Sequence, residues 1–296
     1  MFTTIVLKDL KALDAQNFLQ HSIVPRPVCL ASTIDASGVV NLSPFSFFNL
    51  FSTQPPVLVF SPSRRARDNT TKHTLQNILE VPEVVVNIVS FEMVQQVSLS
   101  SCEFPKGTDE FLKAGLTKEP SIMIRPPRVK ESPVQLECKV LEVKPLGTTG
   151  GAGNLVIAEV IIMHISNEIL SESGMIDQRK LDVVGRLGAN WYARINENNI
   201  FEVEKPNREI GIGIDALPAN IRESKILTGN NLGMLANVNV YPFVDASFDD
   251  EKLKTIFHYF SGSPEEMESE LHLYAKQLLE NGKVPEAWQV LLALDE

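Results

Sequence analysis

The sequence predicts a mainly β protein, built on an antiparallel barrel or closed sheet and followed by a helical region. Between about residues 23 and 166 the chain has short runs rich in Val and Ile that end at Gly, Pro, Asn or Ser, as strands do. Helices do not recur regularly between these runs, which disfavours a doubly wound parallel sheet and favours antiparallel pairing. From Asp249 onward the sequence is typical of helices.

The predicted strands are residues 27–35, 56–62, 84–90, 134–146 and 155–165. In the fourth, Gln135, Glu137 and Lys139 alternate with apolar residues, which is the period of a half-buried strand. The Gly-rich residues 148–154 lie between the last two strands and predict a hairpin loop. A phosphate-binding loop is disfavoured there, because the segment matches neither G-x-G-x-x-G nor the P-loop and precedes a strand.

Short helices are predicted at residues 72–79 and 92–100. In the C-terminal region Ser263 is a plausible N-cap with Pro264 at the first helical position, and Asn281-Gly282 is a plausible end. Pro285 then begins a last short helix. We therefore expect one domain over residues 1–200 and a mostly helical extension over residues 201–296, which holds no evident catalytic constellation and could serve as a lid or a dimer contact.

Composition limits the functional class. The chain has 296 residues and a formal net charge of −10, which argues against a nucleic-acid-binding protein. An apolar run of about 18 residues is absent, so no membrane span is expected, and the first residues lack the pattern of a secretory signal. Three separated cysteines, Cys29, Cys102 and Cys138, favour buried free thiols in a reducing cytoplasm over a disulfide or a metal site.

The segment NLSPFSFFN, residues 41–49, combines small polar groups with aromatic rings. We interpret it as a turn in which Pro44 fixes the backbone and neighbouring amides face a flat ligand. The alternative is that the phenylalanines only pack a core, although this explains the polar residues less well. The candidate ring-binding residues are Asn41, Ser43, Pro44, Phe45, Ser46 and Phe47.

A second cluster follows the next strand. Hydroxyls, guanidinium groups and the free amides at a helix start are suited to a phosphate. The alternative is a solvated loop with Thr71 as an N-cap. The candidate anion-binding residues are Ser61, Ser63, Arg64, Lys72 and Thr74, with Arg65 beside them.

Taken together these motifs resemble the flavin reductase-like family, FMN-binding split-barrel proteins that include flavoredoxin. The resemblance covers about residues 20–195. The matching positions are Asn41, Pro44, Ser46, Pro55, Pro56, Ser61, Lys72, Thr74, Asn77 and Val85 to Asn87, with His164, Arg186 and Tyr192 further along. Each motif alone is weak, whereas their joint occurrence is specific.

The resemblance implies an antiparallel, Greek-key split barrel that holds FMN at a homodimer interface, with the flavin ring near residues 41–49 and the phosphate near residues 61–74. It also implies an oxidoreductase that uses NADH or NADPH to reduce flavin or a small acceptor. The alternatives are a flavoredoxin-type carrier that passes electrons to a protein partner, or a module whose flavin serves another oxidation. No catalytic acid or base is required, because the cofactor carries the chemistry.

His164 ends a strand in this resemblance and is interpreted as a ligand of FMN or of the nicotinamide, the alternative being a polar cap of the strand end. Two positions depart from the family pattern. Glu110 stands where members often have Lys, so that a cofactor-contacting Lys is in doubt unless Lys106 replaces it. Ala189 stands where the family typically has a second Gly.

Overall fold

The computed structural model describes residues 1–206 and 209–293. The chain forms two compact units, unit 1 over Met1–Phe201 and unit 2 over Glu202–Glu296. Unit 1 is described completely and contains all the strands listed next. They are β1 Arg26–Pro27, β2 Cys29–Ile34, β3 Val40–Phe45, β4 Phe48–Thr53, β5 Pro56–Phe60, β6 Glu83–Ile88, β7 Lys118–Glu119, β8 Arg128–Val129, β9 Val134–Pro145, β10 Asn154–Ile165, β11 Val183–Arg186 and β12 Tyr192–Ile195.

The main sheet of unit 1 has seven strands in the order β3-β2-β6-β9-β10-β5-β4, and every neighbouring pair is antiparallel. Its two edge strands, β3 and β4, are joined by only Ser46 and Phe47. The sheet must therefore curl until its edges approach each other, which makes a barrel that is open between β3 and β4. The Ser61 amide donates to the Phe47 carbonyl at 2.8 Å and holds this corner closed. The predicted antiparallel barrel is confirmed.

Residues 41–49 correct the sequence interpretation. We expected a turn, whereas the segment runs along β3 and into β4, and only Ser46 and Phe47 lie between the strands. Pro44 is tolerated within β3 because this strand lies at the sheet edge, where one side of the backbone has no partner strand.

Two apolar clusters stabilise unit 1. The interior cluster includes Phe45, Phe60, Leu136 and Val156, with the rings of Phe45 and Phe60 5.2 Å apart. Leu42, from the opposite face of β3, belongs instead to a cluster with Val97 and Phe111 of the short helices. Those helices are α1 Ala12–Ser22, α2 His73–Glu80, α3 Val94–Leu99 and α4 Glu110–Ala114.

The polar face predicted for β9 is buried at two of its three positions. Gln135 and Glu137 are inaccessible, whereas Lys139 is exposed. Burial is possible because each has hydrogen-bond partners: Glu137 accepts from the amides of Ile122 and Met123 at 2.7 and 2.8 Å, and Gln135 donates to Val129 O at 2.8 Å. The alternation of polar and apolar residues therefore identified the strand correctly but not the exposure of its second face.

Other local predictions are confirmed with small shifts. Residues 148–154 connect β9 to β10 as a hairpin, and α2 and α3 lie within two residues of their predicted bounds. Helix α1 and strands β3, β4, β11 and β12 were not predicted. The cysteines are free as expected, but Cys102 is exposed, while Cys29 and Cys138 are buried.

Unit 2 is helical. Its described helices are α5 Ala219–Arg222, α6 Gly229–Ala236, α7 Glu251–Phe260, α8 Pro264–Glu280 and α9 Val284–Leu292. Helix α8 begins after Ser263 as predicted, and Gly282, with a φ of +73°, follows its end. Trp288, Leu271 and Leu279 are fully buried in a core that belongs to this unit alone. Among the described residues, none of the helices is long and apolar enough to cross a membrane.

Candidate functional site

The loop that follows β5 packs on the glycine-rich hairpin between β9 and β10. The Arg64 amide donates to Ala152 O at 2.8 Å, and the Gly151 amide donates to Arg64 O at 3.0 Å. A Cβ atom on Gly150 would lie 2.8 Å from Ala66 O, so only glycine permits this approach. The hairpin thus supports the predicted anion-binding loop from behind and fixes its path.

Ser61 lies where β5 enters this loop. Its side chain is buried, and its Oγ has no hydrogen-bond partner among the described residues. A Cβ on Gly153 would lie 2.6 Å from this oxygen. A buried hydroxyl without a partner is unfavourable by roughly 1–3 kcal/mol, which is the situation expected where a ligand completes the bonding.

Lys72 places a cation over the ring of Phe45. Its ammonium group lies 5.2 Å from the centroid of the Phe45 ring, and that ring packs on Phe60, the residue before Ser61. Burial lowers the pKa of Lys72, and the charge of Arg65 lowers it further. In the described part of the chain no carboxylate lies within 4.0 Å of its ammonium group. The charge therefore remains available for an anion.

Helix α2 begins next to Lys72. The amides of Leu75 and Gln76 both donate to Lys72 O, so the amides of His73 and Thr74 precede the helical hydrogen bonds. The N-cap is Lys72, without a side-chain cap, and not Thr71 as the alternative interpretation expected. Thr74 is buried, and its Oγ1 accepts from Asn41 Nδ2 at 2.9 Å. This bond joins the helix start to β3, and thus connects a candidate ring-binding residue to a candidate anion-binding residue.

The arginines of the loop differ in their partners. Arg64 donates to the Asn69 side chain and carbonyl, both at 2.6 Å, and has no carboxylate partner within the described ranges. Arg65 bonds to Thr70 and Thr71 and lies 3.3 Å from a Glu103 oxygen, so it stabilises the loop itself. The solvated-loop interpretation thus fits Arg65. Ser63 is half-buried between these residues and Ser61.

The predicted ring-binding residues divide between two faces. Phe45 points into the core, as the packing alternative expected, while Ser43 and Pro44 are half-buried. Ser46 is half-buried, and Phe47 is 44% exposed. The accessible part of the segment is therefore the corner formed by Ser46 and Phe47, which contacts Ser61 through the backbone.

Sequence reasoning missed Arg26 completely. Its guanidinium lies 5.9 Å from the Phe47 ring centroid and 3.5 Å from Ser46 Oγ. The same group donates to Gln20 O at 2.7 Å and Leu187 O at 3.0 Å, and thus connects the corner to distant parts of the chain. No local pattern indicates this role, because the contacts span up to 161 residues.

His164 does not join the cluster within this chain. Its Nε2 lies 2.8 Å from Glu137 Oε1. Along β10, Val156 pairs with Phe60 beside Ser61, while His164 pairs with Gln135. Eight residues of strand place His164 roughly 25 Å away. His164 and Ser61 therefore lie near opposite ends of β10, and no contact joins them among the described residues.

The departures from the family pattern have structural explanations. Glu110 is buried, its Oε2 accepts from the Leu42 amide at 3.0 Å, and burial raises its pKa, so it supports β3 from behind. Lys106 lines a small cleft together with Asn41 and His73. Ala189 has a φ of +48°, a conformation that favours glycine.

The residues present fit a phosphate ester that carries a flat ring. Ser61, whose amide bonds to the Phe47 carbonyl, supplies a hydroxyl without a partner among the described residues, Lys72 supplies an ammonium group over the Phe45 ring, and α2 supplies its first two amides. These are the donors that an FMN phosphate requires, next to a surface that can accept an aromatic ring.

Comparison with known proteins gives consistent relatives. An uncharacterized protein of Aquifex aeolicus is 39% identical over 172 residues, which are 58% of this chain and 85% of that protein. The crystal structure of nitrilotriacetate monooxygenase component B from Bacillus cereus is 30% identical, with a TM-score of 0.64, and the match covers 69% of this chain and 99% of that one. The crystal structure of the 2-nitrobenzoate 2-nitroreductase NbaA of Pseudomonas fluorescens is 25% identical, with a TM-score of 0.63. The match covers 71% of this chain and 100% of that one.

The flavin reductase like domain matches residues 21–184, more than half of the chain and entirely within unit 1. The barrel, the unpaired donors around Ser61 and the solved relatives agree with this match, and the resemblance seen in the motifs is confirmed. The chain belongs to the flavin reductase-like domain family of split-barrel flavoproteins.

Proposed function

We propose that unit 1 binds FMN and uses NADH or NADPH to reduce flavin or a small acceptor. Two observations carry the proposal: among the described residues the buried Ser61 Oγ has no hydrogen-bond partner, and the ammonium group of Lys72, which lies over the Phe45 ring, has no carboxylate partner. Two solved relatives are described as a monooxygenase component and a nitroreductase, which supports a redox role for the fold.

In this proposal the chain binds and orients, and a bound flavin would supply the chemistry of hydride and electron transfer. Lys72 would neutralise the phosphate charge, and Ser61, Thr74 and the first amides of α2 would hold the phosphate group. Arg64 adds a second charge, and Ser63 a second hydroxyl. Asn41 positions Thr74, whereas Ser43, Pro44, Ser46 and Phe47 border the ring and Phe45 packs beneath Lys72.

The second candidate is a carrier that exchanges electrons with a protein partner. The exposed Phe47 beside the ring-binding corner favours it, because an exposed aromatic edge suits a protein contact. The sequence also lacks a recognisable nicotinamide-binding fingerprint. For the same reason the proposal names NADH and NADPH together as the electron donor.

We also propose that the active form is a cytoplasmic homodimer. Leu50 and Phe51 are 58% and 69% exposed on the edge strand β4, next to the candidate site. An apolar, unpaired sheet edge is a surface that another chain can cover. A second copy could also bring His164 to the flavin, which one chain does not do. Light scattering on the purified protein measures this state.

An absorbance spectrum and a turnover assay test the function. We expect the purified protein to bind one FMN per chain and to oxidise NADH or NADPH when FMN is supplied. A yellow protein without pyridine-nucleotide turnover would contradict the reductase and favour the carrier. A colourless protein that takes up no FMN in a titration would contradict both.

A further inference from the structure

The arginines of the chain differ in whether a carboxylate neutralises them. Most of the described arginines lie within 3.8 Å of an Asp or Glu oxygen, namely Arg65, Arg67, Arg125, Arg128, Arg179, Arg194 and Arg222. Arg26, Arg64 and Arg186 have no such partner among the described residues. Arg64 belongs to the phosphate loop described above, so the other two require an explanation.

Arg26 and Arg186 lie directly opposite each other. They are register partners in the antiparallel pair of β1 and β11, which places their Cα atoms about 5 Å apart. Like charges at opposed positions of a sheet are destabilising. Burial lowers the pKa of Arg26, and the charge of Arg186 lowers it further. An uncompensated pair of this kind is a place where an anion would stabilise the protein.

The two arginines are used differently. The guanidinium of Arg26 is buried and is occupied by the carbonyls of Gln20, Ile23 and Leu187. Arg186 is half-buried, lies 4.5 Å from the Tyr192 ring centroid, and has the carbonyl of Ala189 as its recorded hydrogen-bond partner. Most of its donors are therefore free.

The position of Arg186 relates it to the flavin site. Its strand partner Arg26 contacts Ser46 and Phe47, the accessible corner of the ring-binding segment. Stacking on Tyr192 holds the guanidinium plane in one orientation, and a planar guanidinium binds carboxylates and phosphates through two parallel hydrogen bonds. A molecule that exchanges electrons with the ring would lie at this corner.

We infer that Arg186 binds the anionic group of the molecule that exchanges electrons with the flavin. This inference rests on the proposed function and specifies its substrate class, an oxyanion-bearing compound. The oxyanion is the diphosphate of a nicotinamide dinucleotide or the carboxylate of an organic acid acceptor. Arg26 is a positioning residue that holds the Ser46–Phe47 corner.

The test is a calorimetric titration of the FMN-loaded, full-length protein with two probes, ADP-ribose for the diphosphate and benzoate for the carboxylate. We compare the wild type with Arg186→Gln and Arg186→Lys. Arg194→Gln is the matched control, because Arg194 lies on the neighbouring strand β12 and is neutralised by Asp182 at 2.7 Å.

We expect one probe to bind the wild type and to bind Arg186→Gln about tenfold or more weakly, since two charge-assisted hydrogen bonds are lost. Arg186→Lys should lie between them, because it keeps the charge but not the planar fork. Arg194→Gln should bind like the wild type, and FMN affinity should be the same in all four proteins. The probe that responds identifies the source of the oxyanion, and the KM for that substrate should rise while kcat changes little.

Equal binding of both probes by Arg186→Gln and Arg194→Gln would overturn the inference, and so would failure of both probes to bind the wild type. If the wild type takes up no FMN, the proposed function fails. The same titration on the FMN-free protein then still decides whether Arg186 holds an oxyanion.

Discussion

Unit 1 and unit 2 divide the charge of the chain very unequally. Residues 202–296 contain 17 acidic and 8 basic side chains, so they carry −9 of the net −10 and leave −1 for residues 1–201. The overall charge therefore describes unit 2. The nearly neutral unit 1 contains cations that have no acidic partner among the described residues, and a search based on the charge of the whole chain would overlook them.

The units also differ in where buried polar atoms lack partners. In the described part of unit 1 these atoms are Ser32 Oγ, on strand β2, and Ser61 Oγ, which lies in the candidate site. In unit 2 the corresponding atom is Nε2 of His272, on the helix α8 and within the packed core. The arrangement at Ser61 suits a ligand, whereas that at His272 makes the helical packing sensitive to protonation. Four changes test this contrast.

The largest expected effect comes from the core of unit 2. Trp288 is 1% exposed and donates to Leu235 O at 3.2 Å, so Trp288→Ala should destabilise this unit by about 3–5 kcal/mol. Urea unfolding followed by helical circular dichroism measures the loss, and flavin fluorescence should show unchanged FMN affinity. Trp191→Ala is the control: Trp191 is 72% exposed in unit 1, and its loss should change stability by less than about 0.5 kcal/mol. If Trp288→Ala binds FMN more weakly at urea concentrations where it is still folded, the binding of FMN depends on unit 2.

The next effect concerns the free cation of unit 1. Lys72→Met should weaken FMN binding about 10- to 100-fold, because a charge-assisted contact to the phosphate is lost. The free energy of unfolding of the variant should equal or exceed that of the wild type, because the substitution removes a desolvated ammonium group. Lys113→Met is matched to it, because the Lys113 ammonium lies 6.0 Å from the Phe104 ring centroid but is exposed outside the site. FMN affinity is measured by fluorescence quenching, and equal affinities in the two variants would contradict the proposed role of Lys72 in binding the phosphate.

A pH effect distinguishes unit 2. The Nδ1 of His272 lies 2.8 Å from Ser224 Oγ, which accepts from the amides of Ile226 and Leu227 and therefore donates to the ring. Burial lowers the pKa of His272 from its ordinary 6.5, so the unfolded chain takes up the proton first. The stabilisation that neutral His272 gives to unit 2 is therefore complete above pH 6.5 and is lost as the pH falls below that value. The free energy of unfolding then changes by at most about 1.4 kcal/mol per pH unit.

His272→Gln should flatten this slope in unfolding curves followed by Trp288 fluorescence. The exposed His258→Gln on α7 should leave it intact. An unchanged slope in His272→Gln would locate the pH sensitivity elsewhere, for example in His73 of unit 1, whose pKa is lowered by burial and by Arg65 and Lys106.

The smallest effect is in the loop beside Arg186. Ala189→Gly removes the strain of a left-handed backbone conformation, which stabilises the folded state. It also increases the entropy of the unfolded chain, which opposes folding, so the net gain in the stability of unit 1 should be about 0.5 kcal/mol. Ala193→Gly lies within β12 and should instead lose about 0.5–1 kcal/mol. Chemical unfolding curves measure both, and a loss of stability in Ala189→Gly would contradict the strain.

The sequence alone predicted the strands that are dense in β-branched residues. The four segments that became β5, β6, β9 and β10 were located within two residues, because their local pattern is sufficient to define them. Strands β3 and β4 were missed, since Pro44 and the polar residues around it are typical of a turn. Their strand character depends on the position of β3 at a sheet edge.

The site was partly predictable for the same reason. Ser61, Lys72 and Thr74 follow a strand and begin a helix, and this local order together with the family motifs indicated an anion site. The unpaired state of Ser61 Oγ was not predictable, since it depends on Gly153 and the hairpin, more than 90 residues away. His164 was assigned by its place at a strand end, and its bond to Glu137 appears only when β9 and β10 pair.

The sequence by itself determined the class of the fold, the helical nature of unit 2 and the motifs of the family, because these follow from local composition and spacing. Only the tertiary structure decided which charges are neutralised. No local pattern around Arg26, Arg186 or Arg194 indicates its charge partner, yet one is enclosed by carbonyls, one has only a carbonyl partner among the described residues and one binds Asp182. Neutralisation depends on distances of a few ångströms between residues far apart in the chain, and local pattern carries no record of those distances.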